Sequence, residues 1–151
     1  MGEQLLTANE RIEKLKEEFT KLASWEDRYR LVIEKGKKLE TLSEAQHTED
    51  LKVKGCQSQV WLYASLSPRK TVLFQADSDA VLVKGLVAIL VEVYSDLSPT
   101  EILSTSPQFL KDLGFETHLS PNRASGLFAM AKQIQHYATA FQALLSMQSK
   151  S

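Results

Sequence analysis

A chain of 151 residues is long enough to bury a sizeable core in one domain, and 43% hydrophobic with 25% charged residues is the balance of a water-soluble globular protein. The 18 basic and 19 acidic residues leave a formal net charge of -1, which excludes a general polyanion-binding surface and with it nucleic acid as a main partner. One cysteine excludes an intrachain disulfide, and the opening MGEQLLTANE lacks the basic-then-apolar layout of a secretory signal, so a reducing cytoplasm is the expected compartment.

Leu5, Ala8, Ile12, Leu15, Phe19 and Leu22 recur at steps of three and four with charged residues between them, which predicts an amphipathic helix; the pattern is too short for a coiled coil. A second helix is expected to start at Ser24, with Asp27 completing a capping box and Trp25, Tyr29, Val32 and Ile33 forming the buried stripe. Gly36 lies near its expected end. From Leu39 to Asp50 the periodicity fades and a loop is expected.

The period then changes to two. Val60, Leu62, Ala64 and Leu66 alternate with Trp61, Tyr63 and Ser65, SPRK turns the chain, and Thr71 to Ala76 gives a second strand. Leu51 to Val53 reads as a short third strand, which would place Cys56 at the rim of a small antiparallel sheet.

Ala80 to Tyr94 is apolar but interrupted by Lys84 and Glu92, and it falls short of the roughly 20 residues a membrane span needs, so it reads as a buried helix. Gly85 inside it costs about 1 kcal/mol relative to alanine, which close packing against the sheet or another helix would explain. The preceding Asp77, Ser78 and Asp79 suit a helix N-terminus as capping groups, with paired carboxylates for acid-base work as the alternative. Ser98-Pro99 with Glu101, and Ser106-Pro107 with Gly114 as terminator, open two short helices. Ser120-Pro121 opens a long one with Leu127, Ala131, Ile134, Ala138, Phe141 and Leu145 on its buried side. Strands in the middle and helices on both sequence sides predict an α+β domain over residues 1–151, a sheet of about three strands with helices packed on one face.

Candidate chemistry centres on Cys56, preceded by Gly55 and followed by Gln57, Ser58 and Gln59. Polar flanks indicate a surface turn, where a thiol can ionise and be reached, although an incidental cysteine is equally compatible with the spacing. Lys52 and Lys54 are its nearest cations in sequence. His47, His118 and His136 lack metal-ligand spacing, and no phosphate-binding glycine loop is present. Arg123 sits just inside the last helix, where its charge opposes the macrodipole, as would suit an arginine kept for an ion pair or a partner's anion.

GCQSQVW (55–61), DSDAVLVKGLVAIL (77–90), LSPNRASGLFAM (119–130) and WEDRYRLVIEKGKKL (25–39) together resemble, in order and over nearly the whole chain, the SufE family of sulfur acceptors, which includes the CsdE group. The resemblance implies an α+β domain shared with IscU-type scaffold proteins. It also implies that sulfane sulfur is taken from a cysteine desulfurase of the SufS or CsdA type and passed to an iron-sulfur scaffold or other acceptor, with no cofactor of the carrier's own. On this likeness the persulfide-bearing cysteine falls on Cys56, and Asp77, Asp79 and Arg123 become candidates for loop support or partner docking. Ala76 departs from the glycine expected before DSDA, and the glutamines around Cys56 favour SufE over CsdE. The rival readings are a docking regulator of a desulfurase in which Cys56 is incidental, and a small thiol-dependent hydrolase or peroxidase. A homodimer is compatible with the sequence, but no feature requires it.

Overall fold

The computed structural model describes residues 6–149. Helix α1 (Ala8–Thr20) buries Ala8, Ile12, Leu15 and Phe19 as the spacing predicts; Leu5 lies outside the described residues. Its start is fixed by a capping box in which Thr7 and Glu10 bond reciprocally, and the Glu101 carboxylate accepts a further bond from Ala8 N at 2.8 Å. In α2 (Trp25–Lys37) the Ser24 hydroxyl caps Asp27 N, but Asp27 turns to Arg30 instead of reaching back, so only half of the expected box forms.

Strands β1 (Val60–Leu66) and β2 (Val72–Ser78) pair antiparallel with Leu62 opposite Ala76 and Ala64 opposite Phe74. Period two therefore puts Val60, Leu62, Val72, Phe74 and Ala76 on the core face and Trp61, Tyr63, Gln75 and Asp77 on the other. The sheet has two strands, not the expected three. Leu51 to Val53 contributes one bridge, Lys52 to Trp61, and the bond from Val53 N to Val60 O at 2.8 Å, before Gly55 turns the chain away. β2 runs two residues beyond its predicted end because Asp77 and Ser78 still pair with Trp61 and Val60.

Helix α3 (Val81–Tyr94) is buried almost all round, as an apolar helix at the centre of a fold must be. The sheet lies on one side of it and α2 on the other, and Gly36 and Gly85 bring the α2 and α3 backbones into contact. The three helices are also tied by Lys35, which bonds Glu18 and Glu92 at 3.0 and 2.8 Å.

Three short helices follow, α4 (Pro99–Leu103), α5 (Gln108–Asp112) and the unpredicted α6 (Phe115–His118). Ser98 caps Glu101 N as expected, whereas the Glu101 side chain serves α1; Pro107 precedes the first turn of α5 instead of occupying it. The long α7 (Pro121–Ser149) buries Leu127, Ala131, Ile134 and Ala138 and reaches the sheet through Tyr137, whose hydroxyl donates to Leu62 O at 3.1 Å. All of the long helices lie toward the core face of the sheet, in line with the expected α+β arrangement. The opposite face carries the 40–51 segment, which forms two single 3-10 turns, Glu44–Gln46 and Glu49–Leu51, where a loop was expected. No helix among the described residues is long and apolar enough to cross a membrane.

Candidate functional site

The bond between Val53 N and Val60 O closes the loop that carries Cys56. Its far end is pinned hard. Gln59 gives its backbone N–H to Asp79 Oδ1 at 3.0 Å and its side-chain amide to Asp79 Oδ2 at 3.2 Å, while its carbonyl accepts from Ser78 Oγ at 2.8 Å and Asp79 N at 3.2 Å. Gly55 turns at φ 90°, a left-handed conformation that favours glycine, and a β-carbon there would come within 3.3 Å of Ala129 Cβ on α7. The turn delivers the thiol onto the first turns of α7.

There Cys56 is half-buried, and its Sγ lies 3.5 Å from Gly126 O, the one hydrogen-bond partner it has among the described residues. A sulfhydryl is a weak donor, so this contact holds the side chain loosely. The thiol opens onto a cavity of about 310 Å³ lined by Gln57 and Ser58 of the same loop, Val83 of α3, and Ser120, Asn122, Arg123, Gly126 and Met130 of α7. Val83 and Met130 are buried and form an apolar floor, and the polar groups ring the mouth.

Burial pushes the Cys56 thiol above its ordinary range, and no cation offsets this. Lys52 pairs with Glu49 at 2.7 Å, His47 with Asp77, and His118 stacks on Trp25, so none of them acts on the sulfur. Burial thus favours the protonated, weakly nucleophilic form of the thiol while it rests in the cavity. The cavity nonetheless faces the N-terminal end of a 29-residue helix, whose dipole favours an anion, and Arg123, which is exposed and makes no side-chain hydrogen bond or ion pair among the described residues.

Gly126 lies directly beneath the sulfur. A β-carbon on it would sit 3.4 Å from Cys56 Sγ, at ordinary contact distance and on the cavity side. Gly126→Ala is therefore expected to leave the melting temperature unchanged or raise it, since alanine favours a helix interior by about 1 kcal/mol, while slowing alkylation of Cys56. Unchanged labelling kinetics would show that Gly126 does not shape access to the thiol.

Of the residues singled out from the sequence, Cys56, Gln57, Ser58 and Arg123 converge on one cavity and Gly55 flanks it. Asp79 stands at the base of the loop, holding Gln59. Asp77 lies elsewhere, on the outer face of the sheet, where it binds His47 at 2.7 Å, Lys84 at 3.3 Å and Ser78 N at 2.8 Å. Neither aspartate caps α3, whose N-cap is Ala80 with no side-chain bond; β2 extends through Ser78 and keeps Asp77 paired in the sheet, where its carboxylate meets the Lys84 side chain and no backbone N–H of the helix. Gly126, Asn122, Met130 and Val83 were not read as site residues. A signal was present: Asn122, Gly126 and Met130 stand four apart and so share one face of α7, and a glycine in an apolar helix requires a packing reason. Among the described residues no group of three or more His, Cys, Asp or Glu is placed to hold a metal ion.

The chain is 42% identical over 129 residues to a SufE-like protein of Synechocystis sp., a match covering 85% of this chain and 80% of that one. A solution structure of a hypothetical protein from Thermus thermophilus superposes with a TM-score of 0.74 at 23% identity, over 88% of this chain and 96% of that one, which shows a shared fold. Residues 13–138 match the SufE family, described as an Fe-S metabolism associated domain, and the chain belongs to that family.

Proposed function

We propose that this protein accepts sulfane sulfur from a cysteine desulfurase of the SufS or CsdA type, holds it on Cys56 as a persulfide, and hands it on for iron-sulfur cluster assembly. The observation that carries the reading is the placement of Cys56: a lone thiol on a glycine-turned loop, facing a cavity with room for another atom and tethered by a single weak bond. Membership of a family associated with iron-sulfur metabolism supports it.

In the proposed step the loop swings out and Cys56 loses its proton as it leaves the apolar floor. The thiolate attacks the outer sulfur of the donor's persulfide. A new S–S bond forms on Cys56, the donor's S–S bond breaks, and its electron pair stays on the donor's cysteine as a thiolate that takes up a proton. No net oxidation occurs, and the chain needs no cofactor for this step; the donor brings its own pyridoxal phosphate. A persulfide is more acidic than a thiol, so the returning group is an anion. The end of α7 and the free guanidinium of Arg123 suit that charge, and the cavity shelters it from reductants in a reducing compartment.

Within this scheme Asp79 is a positioning residue, since it restricts the swinging part of the loop to residues 54–58. Arg123→Ala is expected to slow persulfide formation by roughly tenfold, the worth of one charge-assisted hydrogen bond of about 1.5 kcal/mol, with little change in melting temperature. A lowered melting temperature with an unchanged transfer rate would assign Arg123 to structure instead. The decisive experiment is to incubate the protein with desulfurase and cysteine and weigh it intact. Gain of one sulfur atom on Cys56 is expected; desulfurase stimulation without any gain would favour a docking regulator.

A further inference from the structure

His47 stands outside the sulfur site, and nothing in the proposed transfer uses it. Its Nε2 lies 2.7 Å from Asp77 Oδ2, and its ring meets the buried Trp61 edge-on with centroids 4.5 Å apart. These are long-range contacts, made by a segment of short turns whose other anchor is the buried Leu42. The segment is joined to the sheet by Glu40, which accepts from the Gln75 side chain at 3.0 Å, by His47, and by the Lys52–Trp61 bridge. Past that bridge come the Val53–Val60 bond, which closes the Cys56 loop, and then Cys56 itself. Whatever holds His47 against Trp61 and Asp77 therefore holds the stem of the loop.

We propose that His47 is a proton-operated catch: protonated and bonded to Asp77 it clamps the 40–52 segment on the outer face of the sheet, and on losing its proton it keeps only a neutral hydrogen bond, holds that segment less tightly and loosens the stem of the Cys56 loop. The catch is regulation of the sulfur site, and its effect on transfer rests on the carrier reading given above.

The charges that face the histidine allow such an exchange. Asp77 on β2 is the partner, and Lys84 on α3 reaches the other carboxylate oxygen at 3.3 Å. When the imidazole becomes neutral, Asp77 keeps Lys84 and Ser78 N and is not left as an orphaned charge. Glu49 and Lys52, on the same segment, pair with each other at 2.7 Å; backbone groups of Ser43 and Glu44 also favour the protonated ring. The Asp77 hydrogen bond outweighs desolvation and raises the imidazole above its ordinary value. Burial alone would lift the Asp77 carboxyl, but its bonds to His47, Ser78 N and Lys84 hold it below the usual range. A raised imidazole stabilises the closed state fully below its ordinary value of about 6.5, and that contribution is lost as pH rises through the raised value. A lowered carboxyl contributes above its own ordinary value. The catch is thus tightest in mildly acidic solution and loosens as pH rises through the raised imidazole midpoint.

The test is amide hydrogen exchange by NMR on the intact chain from about pH 6 to about pH 9, read as protection factors so that the intrinsic pH dependence cancels, with Val87 in α3 as reference for global opening. The His47 ring proton should titrate above its ordinary midpoint. Protection of Val53 relative to Val87 should fall along the same curve, by up to about tenfold for each unit by which the midpoint is raised. His47→Asn should give low, pH-independent protection at Val53, and Asp77→Asn should return the His47 midpoint to near 6.5. Val53 protection that stays flat with pH in the unaltered chain overturns the catch, and this arm does not depend on any variant folding. A pH-dependent Val53 in a protein that gains no sulfur from a desulfurase would keep the catch and dispose of the carrier reading, so the two fail separately.

Discussion

Cys56→Ser is expected to abolish the proposed sulfur acceptance while leaving the fold intact. Serine matches cysteine in shape, and Cys56 touches the rest of the protein through a loose bond to Gly126 O and the walls of a partly open cavity, so little stability depends on it. A hydroxyl is far less acidic than a thiol and its oxygen is a poor nucleophile toward sulfur, so no oxygen analogue of the persulfide forms at neutral pH. Intact mass after incubation with desulfurase and cysteine should show no added sulfur, with melting temperature and circular dichroism unchanged. A serine variant that still gained sulfur, or stimulated the desulfurase as well as the unaltered protein, would refute the role assigned to Cys56.

Gly85→Ala is the substitution expected to damage stability most. A β-carbon on Gly85 would lie 2.2 Å from Val32 O and 2.7 Å from both Val32 C and Cγ1, and one on Gly36 would lie 2.8 Å from Gly85 N. The obstructing atoms are backbone, so a side-chain rotation cannot relieve the clash; α2 and α3 must move apart, which opens the core around Val32 and Ile89. Overpacking of this kind costs about 3 kcal/mol or more, against about 1 kcal/mol regained from helix propensity. Urea or thermal unfolding would read the difference as a drop of several degrees in melting temperature, about 2–4 °C per kcal/mol for a chain of this size. A melting temperature equal to or above that of the unaltered chain would mean that the two helices do not cross in backbone contact. The same crossing accounts for the glycine that the sequence places, at a propensity cost, in the middle of the most apolar helix.

The contrast between these two positions shows what could be read in advance. The helices α1, α2 and α7 and the β1–β2 hairpin follow from periodicity, because a buried face imposes its spacing on every residue of an element, and α3 follows from its long apolar run. Ser24 and Ser98 announce helix starts because a cap acts within three residues. Cys56 stood out as a lone thiol beside a glycine, and four motifs in order gave the family. Leu51 to Val53 falls short of a third strand because one bridge, Lys52 to Trp61, and one backbone bond, Val53 N to Val60 O, do not make a ladder. Asp77 and Asp79 were assigned to capping because their nearest neighbour in sequence is a helix, whereas their partners in space are His47, Lys84 and Gln59.

Local order along the chain thus determined the secondary elements, the α+β class and the candidate nucleophile, since each depends on interactions a few residues long. Only the tertiary structure decided that Cys56 rests on Gly126 above a cavity shared with Arg123, that Glu101 caps a helix 93 residues away, and that His47 packs against Trp61 and Asp77 on the outer face of the sheet. Those contacts join groups far apart in sequence, and a side chain's partner there is set by which surfaces the core brings together, a quantity that no local pattern encodes.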